Sequence, residues 1–463
     1  MIERLNGTIN VLVPTGALGV GIRSEDVEAG LAAGAHAIAC DAGSTDSGPA
    51  YLATGRSKYS RDAIKSDLTT LMLAQARSGL PLLIGTCGTS GCDLALEWTR
   101  DIALEIASEN GLTPRIALLY SEQSPASMAD KAKAGMVSPL QPMLHADPEI
   151  FNKCDRIVAL MGPEPYIAAL ESGADIVLGG RTTDTAVLAA VPLMRGAGAG
   201  PAWHAAKIAE CGGLCTLNTR EGGVMMRVGH DAFEIEPLNN ANSCTPHTVS
   251  AHMLYENSNP FQLIEPGGIL DVTDTRYVAI DDRVVQVTGS RFLTQPYTMK
   301  LEGAASVAYQ TIMLVGIQDR SVLNELDRFL SQMSQVLHQR VNDAMGAKAG
   351  KFDISLRAYG ANAVSGLPLP ESSPPPLEVG LLFVATATTQ ELATQIAKTC
   401  NPAFFHMPLN KDTPLPSYAF PFSPAEIERG EVYEFKLNHV VRVEHPTELV
   451  RIKYIEVKEL QNA

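Results

Sequence analysis

The stretch LLIGTCGTSGCD, residues 82–93, decides the predicted fold. Pro81–Ile84 is a short apolar run typical of a buried strand, and seven small residues follow it. The pattern LALEWTRDIALEIA then predicts a helix over Leu94–Ala107. A strand, a loop of small residues and a helix together direct free backbone N–H groups at an anion. The loop can also be a tight turn with Asp93 as the helix N-cap, but we favour a ligand-binding loop because a turn rarely needs seven small residues.

The segments on both sides of this stretch alternate between apolar runs and helical patterns. This alternation predicts an α/β domain over residues 1–213, with a mainly parallel sheet flanked by helices. The pattern does not separate an open, doubly wound sheet from a barrel, and we favour the open sheet. Further strands are predicted at Ile9–Val13, Ala37–Cys40, Arg115–Tyr120, Arg156–Met161 and Asp175–Leu178.

The pattern changes after residue 213. Short alternating runs separated by turns predict antiparallel strands, and Ser321–Val341 predicts a long amphipathic helix. We therefore predict an α+β domain with an antiparallel sheet over residues 214–463. Within it, the proline-rich segment Leu367–Glu378 predicts a surface loop or linker.

Composition excludes several functional classes. The chain of 463 residues carries a net charge of −15, whereas nucleic acids and anionic membranes attract basic surfaces. The N-terminus lacks the pattern of a signal peptide, and no apolar run is long enough to span a membrane. The eight cysteines are scattered and match no structural zinc spacing, which favours reduced thiols in a cytoplasmic protein.

Four predicted loops follow strands of the parallel sheet, at Thr15–Gly21, Asp41–Pro49, Gly85–Asp93 and Gly179–Asp184. Because parallel strands end at the same edge of a sheet, we expect these loops to form one substrate pocket. The predicted substrate-binding residues are Thr15, Gly16, Ser44, Thr45, Gly85, Thr86, Gly88, Thr89, Ser90, Gly180, Arg181, Thr182 and Asp184.

Arg181 is the only cation within the last three of these loops. A guanidinium can bind a carboxylate or a phosphate through two parallel hydrogen bonds. The alternative is that Arg181 pairs with Asp184 and fixes the start of the next helix. We favour a contact between Arg181 and a substrate anion.

Asp41 follows a predicted strand, where a carboxylate can act as a base, as a metal ligand or simply as a turn residue. Together with Asp93, Glu122 and Asp184 it can form a site of oxygen ligands for a divalent cation such as Mg²⁺. The sequence identifies no other cofactor.

Cys87 lies close to the N-terminus of a predicted helix, a position that lowers the pKa of a thiol and activates it as a nucleophile. Cys40 ends the neighbouring predicted strand. The alternative, which the residue types alone favour, is that both cysteines are small buried packing residues.

Two further groups are candidates for proton transfer. His252 and Tyr255 lie one turn apart if their segment is helical, and they can then present an acid–base pair to a cleft between the two halves. Glu210, next to Cys211, ends a predicted helix where the pattern changes.

Five longer stretches of the chain are specific in wording and order. They are GGRTTDTA (Gly179–Ala186), WHAAKIAECGGLC (Trp203–Cys215), TVSAHMLYENSNPF (Thr248–Phe261), EPGGILDVTDTRY (Glu265–Tyr277) and EVGLLFVATATTQELA (Glu378–Ala393). These stretches resemble the acyclic terpene utilisation (AtuA-like) family of bacterial proteins. The resemblance implies an enzyme that breaks down carboxylic acids or acyl-CoA, a lyase above all, often accompanied by a small second protein.

Together these observations predict a hydratase, dehydratase or C–C lyase acting α,β to a carbonyl of a small carboxylic acid or acyl thioester. Arg181 would anchor the substrate, and Asp41 or His252 would move protons. The backbone amides around Cys87–Thr89 would hold the enolate oxygen. Two alternatives stay open: a thiol-dependent hydrolase or transferase using Cys87, and a large subunit that is active only with a small partner. We also expect a homo-oligomer.

Overall fold

The structure is a computed structural model that describes residues 4–368, 370, 374–410, 412, 416 and 418–458. The predicted proline-rich loop, Leu367–Glu378, lies partly outside these residues, and its described residues form no helix or strand. No helix among the described residues is both long enough and apolar enough to cross a membrane.

Strands and helices alternate along the first 210 residues, as the sequence pattern predicts. The strands are β1 (Ile9–Val13), β2 (Ala37–Asp41), β3 (Leu82–Gly85), β4 (Arg115–Tyr120), β5 (Glu122–Gln123), β6 (Val137–Pro139), β7 (Arg156–Ala159), β8 (Ile176–Gly179), β9 (Val224–Val228), β10 (Ala232–Pro237), β11 (Gln262–Glu265), β12 (Gly268–Asp271), β13 (Arg276–Ala279), β14 (Val285–Thr288), β15 (Arg291–Thr294), β16 (Thr298–Ile317), β17 (Phe352–Tyr359), β18 (Val379–Ala387), β19 (Tyr418–Ala419), β20 (Ile427–Arg442) and β21 (Arg451–Glu456). The α-helices are α1 (Ser24–Ala32), α2 (Pro49–Thr54), α3 (Arg61–Ser78), α4 (Asp93–Asn110), α5 (Pro125–Lys133), α6 (Pro148–Phe151), α7 (Glu164–Glu171), α8 (Asp184–Met194), α9 (Ala199–Ala209), α10 (Pro246–Ala251), α11 (Arg320–Leu323), α12 (Leu326–Met345) and α13 (Gln390–His406).

The main sheet has ten strands in the order β13-β14-β10-β9-β1-β2-β3-β8-β4-β21. Its centre, from β1 through β2, β3 and β8 to β4, is parallel. Antiparallel strands extend both sides, β9 next to β1 and β21 next to β4. The predicted α/β fold is therefore confirmed, and the strands predicted to be parallel form the parallel centre of an open sheet that is mixed as a whole.

The central strands are apolar because both faces of the sheet are covered by helices. Alternate residues of one strand belong to different cores, as the period of two in a strand requires. Val11 and Val13 pack in the core that contains α8 and α9. Leu12, between them, packs in the core that contains residues of α3 and α4. Helix α8 is apolar on nearly all sides, which is consistent with its burial.

The described chain forms two compact units, one drawn from residues 1–305 and 435–463 and the other from residues 306–434. The first unit holds the main sheet and a small antiparallel sheet, β11-β12-β15. In the second unit, β18 pairs antiparallel with β17 and with the part of β16 that starts at Tyr309. Residues of α12 and α13 pack with these strands in one core. Antiparallel sheet in the second half of the chain was predicted and is present.

These units do not coincide with the predicted boundary at residue 213. Strands β9, β10, β14 and β13 all follow that residue, yet they continue the sheet that begins with β1. The change in the sequence pattern marks the transition from parallel to antiparallel pairing. Pairing direction changes the hydrophobic pattern of a strand without requiring a new domain.

Candidate functional site

A cavity of about 700 Å³ lies in the first unit, beside the loops that follow β1 and β2. Its wall also includes residues between α2 and α3, the start of α8 and the segment after α9. A position at the carboxyl ends of parallel strands is the usual place for a ligand in an open α/β sheet. Six predicted site residues line this cavity, namely Thr15, Gly16, Asp41, Ser44, Asp184 and Tyr255.

Asp41 is the last residue of β2 and is 4% exposed. Its Oδ2 accepts a hydrogen bond of 3.0 Å from the backbone N–H of Gly43. Its Oδ1 is buried and has no hydrogen-bond partner among the described residues. The absent side chain of Gly85 leaves room for this atom, because a Cβ there would lie 2.8 Å from Oδ1. Burial, reinforced by the charge of Asp184, raises the pKa of Asp41 well above its ordinary range, so the protonated form is favoured.

Asp184 is the first residue of α8 and lines the same cavity. Burial raises the pKa of Asp184 to about 6, although the nearby Arg181 opposes this shift. The helix N-terminus also favours a negative charge at this position. Asp184 is therefore ionised at neutral pH, whereas its neighbour Asp41 tends to keep a proton. Two carboxyl groups with separated pKa values are the usual arrangement of a general acid and a general base.

Three exposed cations, Arg23, Lys58 and Arg220, also line the cavity. They can attract an anionic group of a ligand even though the whole chain is acidic, because the local field decides binding. None of these three cations was predicted from the sequence. All three lie outside the four predicted loops, and a lone basic residue there carries no functional signal.

Arg181 does not line the cavity, although its predicted role is to bind a substrate anion. It is 5% exposed and is absent from the cavity lining in the described part of the chain. Its Nε donates to Glu302 Oε2 at 3.0 Å, and its Nη1 lies 3.6 Å from Asp184 Oδ1. Thr45 completes the group, since its hydroxyl donates to Glu302 Oε2 at 2.8 Å. Arg181 is thus held in a buried ion pair, which corresponds more closely to the alternative structural role than to a substrate anchor.

The loop between β3 and α4, residues 86–92, is buried, and none of its residues lines the cavity. The backbone N–H groups of Thr86 and Cys87 donate to the carbonyls of Gly180 (3.1 Å) and Gly179 (2.9 Å). These two amides are therefore not available to stabilise an enolate. Cys92, not Asp93, occupies the N-cap of α4. The loop fits the alternative reading, a tight turn that supports its neighbours.

The small residues of this loop permit close packing. Thr86 and Thr89 have φ angles of 43° and 79°, which residues other than glycine rarely adopt. A Cβ on Gly43 would lie 2.6 Å from the Cα of Thr89, so the loops after β2 and β3 touch through their backbones. The hydroxyl of Thr89 accepts a hydrogen bond of 2.9 Å from the N–H of Lys58. Ser90 is likewise fully buried, with its hydroxyl 3.4 Å from the Sγ of Cys92.

Cys87 is fully buried. Burial raises the pKa of its thiol, and the charge of Asp41 raises it further, so the reactive thiolate is disfavoured.

We expect iodoacetamide to leave Cys87 unlabelled in the folded protein, as measured by peptide mass mapping, and to label it after unfolding in guanidinium. Labelling of the folded protein at Cys87 with matching loss of activity would instead support the thiol-dependent alternative. Cys40 is also fully buried.

The other predicted residues have internal partners. Thr182 donates to the carbonyl of Gly180 at 2.9 Å, and Ser44 donates to Asp46 at 2.7 Å.

The four carboxylates predicted for Mg²⁺ do not share the cavity. Asp41 and Asp184 line it, whereas Asp93 pairs with Arg451 and Glu122 pairs with Arg156. Gly88 packs against α4, since a Cβ there would lie 2.8 Å from the Cβ of Ala95.

His252 and Tyr255 come together, although their segment is a 3₁₀ turn (His252–Leu254) and not an α-helix. Their rings are stacked, with centroids 5.4 Å apart and planes 18° apart. Tyr255 lines the cavity and His252 is buried behind it at 5% exposure. Glu210 and Cys211, at the end of α9, lie beside His252. All four residues belong to the first unit.

The fold and the cavity define an open α/β protein with a candidate ligand site at the carboxyl ends of parallel strands. Residues 97–414 match the model of a family described as "Acyclic terpene utilisation family protein AtuA". This match covers more than half of the chain, so the chain belongs to that family, as the resemblance predicts. No curated protein and no solved structure matches the chain. The family description associates this family with the utilisation of acyclic terpenes.

Proposed function

We propose that this protein is a lyase, a hydratase, dehydratase or C–C lyase, that acts α,β to the carbonyl of a small carboxylic acid or acyl thioester. One observation carries the proposal. Asp41 and Asp184 line one cavity, and burial raises the pKa of both carboxyl groups, that of Asp184 to about 6 and that of Asp41 well above its ordinary range. Such a pair can donate one proton and accept another in a single step.

In a dehydration, the ionised carboxylate of Asp184 takes a proton from the carbon next to the carbonyl. The C–H electrons form the new double bond, and the C–O bond on the neighbouring carbon breaks. Protonated Asp41 gives its proton to the departing oxygen, which leaves as water. Hydration is the reverse, and exchange with solvent restores both carboxyl groups between turnovers.

Three exposed cations at the cavity support the proposal of an anionic substrate. Arg23, Lys58 and Arg220 line the cavity and can pair with a free carboxylate or with the phosphates of a coenzyme A thioester. The volume of about 700 Å³ is within the usual range for small-molecule sites. These cations take the anchoring role that the sequence analysis gave to Arg181, whose guanidinium is bound to Glu302.

The experiment uses 3-methylbut-2-enoate and its coenzyme A thioester, because acyclic terpenes consist of branched, unsaturated five-carbon units and these probes carry one such unit next to a carbonyl. The full chain is incubated with each probe in D₂O, and mass spectrometry follows water addition and deuterium incorporation. We expect incorporation with at least one probe. Absence of incorporation with both probes, with and without the predicted small partner protein, would contradict the proposal. A small partner protein and a homo-oligomer are still predictions. Size-exclusion chromatography of the same samples tests both.

The reaction rate should depend on the ionisation of Asp184. A general base works only when deprotonated, so kcat/KM should fall as the pH drops below about 6, the pKa of this carboxyl. The charges that act on Asp184 are those of Arg181, Asp46, Glu256 and Lys207. A pH–rate profile of the wild type should show this acidic limb. A flat profile across this region, or the same limb in Asp184→Asn, would show that another group is the base.

A further inference from the structure

A second group of side chains meets at the cavity wall. Glu210 and Cys211 follow the last residue of α9, and His252 lies in the 3₁₀ turn after α10. One carboxylate oxygen, the thiol sulfur and one imidazole nitrogen all lie within 4.8 Å of one another. Donor atoms at these separations can move onto one ion with small rotations of their side chains.

An independent observation points to a ligand at this place. His252 is 5% exposed, and its Nε2 is buried without a hydrogen-bond partner among the residues that the structure describes. Leaving a buried polar atom unpaired costs about 1–3 kcal/mol, so native proteins rarely keep one without a reason. An ion bound between the three side chains would supply the missing partner.

The surroundings hold the group in place. The Nζ of Lys207 donates to Oε1 of Glu210, which orients the carboxylate and leaves its second oxygen for an ion. The backbone of Cys211 is fixed by Gly16, because a Cβ on that glycine would lie 2.7 Å from the carbonyl carbon of Cys211. Cys211 also lines the cavity. A metal ion at this position would therefore have one side held by protein and one side facing the cavity.

We propose that Glu210, Cys211 and His252 bind a divalent transition-metal ion, with Zn²⁺ as the best match. A thiolate and an imidazole are ligands that Zn²⁺ prefers, whereas Mg²⁺ prefers oxygen atoms alone. Three protein ligands with a fourth position open to a cavity are typical of catalytic zinc sites. That open position can bind water or an oxygen atom of a ligand. The proposal does not depend on the lyase reaction, because metal binding can be measured without turnover.

The test begins with the full chain stripped by a chelator and reloaded with Zn²⁺ or Co²⁺. We expect elemental analysis to give one equivalent of metal per chain. Co²⁺ should give a near-ultraviolet absorption band from thiolate-to-cobalt charge transfer. Cys211→Ser should remove this band, and His252→Gln should lower the affinity for Zn²⁺ by more than about 10-fold.

Cys154→Ser is the matched control. Cys154 is also largely buried at 8% exposure, lies outside the cluster and hydrogen-bonds to the carbonyl of Ile150, a contact that a serine hydroxyl can keep. The control should bind metal as the wild type does. Less than half an equivalent in the wild type, or an unchanged cobalt band in folded Cys211→Ser, would overturn the proposal.

A labelling measurement on the wild-type chain tests the metal site without any substitution, so its result does not depend on whether a variant folds. Iodoacetamide should label Cys211 in the stripped protein, because this residue lines the cavity and is not fully buried. The labelling should be slow, because partial burial raises the pKa of the Cys211 thiol. Zn²⁺ should then slow the labelling by at least about 10-fold, since a coordinated thiolate is a poor nucleophile towards other reagents. Equal labelling of Cys211 with and without Zn²⁺ would contradict the site, whether or not the lyase proposal holds.

Discussion

Replacing Asp41 by Asn lowers the rate of the proposed reaction by about 10²–10⁴-fold, the usual contribution of a general acid. The amide has nearly the shape of the carboxyl group, and its oxygen can still accept the hydrogen bond from the N–H of Gly43. The environment already favours the uncharged form of Asp41, because burial raises its pKa. The variant should therefore fold normally and lose only the proton that it donates. Steady-state kinetics with the responsive probe measure the loss.

Asp46→Asn is the matched control for this variant. Asp46 lies in the same loop and lines the same cavity, but it is exposed and hydrogen-bonded to Ser44. Its replacement should change the rate by less than about 10-fold, because it has no role in proton transfer. Equal losses in both variants would indicate a general electrostatic effect, and a wild-type rate in Asp41→Asn would remove Asp41 from the mechanism.

Replacing Glu302 by Gln should lower the free energy of unfolding by about 3–5 kcal/mol, the usual cost of removing one partner of a buried ion pair. Glu302 accepts hydrogen bonds from Arg181 (3.0 Å) and from Thr45 (2.8 Å), and both charged side chains are 6% exposed. The variant leaves the guanidinium buried, with the more distant Asp184 as its remaining ion-pair partner among the described residues. Urea unfolding followed by circular dichroism measures the shift.

The stabilisation of the fold by the ion pair between Arg181 and Glu302 depends on pH, because the pair lowers the pKa of Glu302. Burial raises the pKa of Glu302, but Arg181 and Lys300 outweigh that effect and lower it from 4.5 to about 2. The pair therefore stabilises the fold at neutral pH, and its contribution is lost as the pH falls from 4.5 towards 2.

Two further variants decide whether the loss comes from the buried charge. Replacing both partners, Arg181→Met with Glu302→Leu, should recover part of the stability, because both charges of the buried pair are removed together, while Asp184 loses its contact with Arg181. Glu105→Gln removes a carboxylate from an exposed pair with Arg61 and should cause a much smaller shift, since surface pairs contribute little. If Glu302→Gln is no more destabilising than Glu105→Gln, the buried pair does not hold the loops together.

The fold could be predicted from the sequence because hydrophobic pattern and burial agree. The strand and helix on either side of the loop at 86–92 are both present, as β3 and α4. The role of the loop could not be predicted in the same way. Small residues serve both ligand binding and close packing, and the contacts of Thr89 with Gly43 and of Gly88 with Ala95 show that packing requires them here.

The site was partly predictable for a topological reason. Thr15, Asp41 and Asp184 follow or flank parallel strands, and such strand ends meet at one edge of a sheet. The partners of Arg181 and Cys211 were not predictable. Glu302 is 121 residues away from Arg181, and His252 lies in a different segment from Cys211, so no spacing along the chain reveals either contact.

The proposed mechanism requires Asp41 to keep its proton at a pH where Asp184 has lost its own. ¹³C NMR of aspartate carboxyl carbons measures both protonation states, with Asp41→Asn and Asp184→Asn assigning the two signals. We expect Asp184 to titrate near pH 6 and Asp41 to titrate at a higher pH. Titration of both groups near the ordinary value of 3.8, or ionisation of Asp41 before Asp184, would contradict the mechanism.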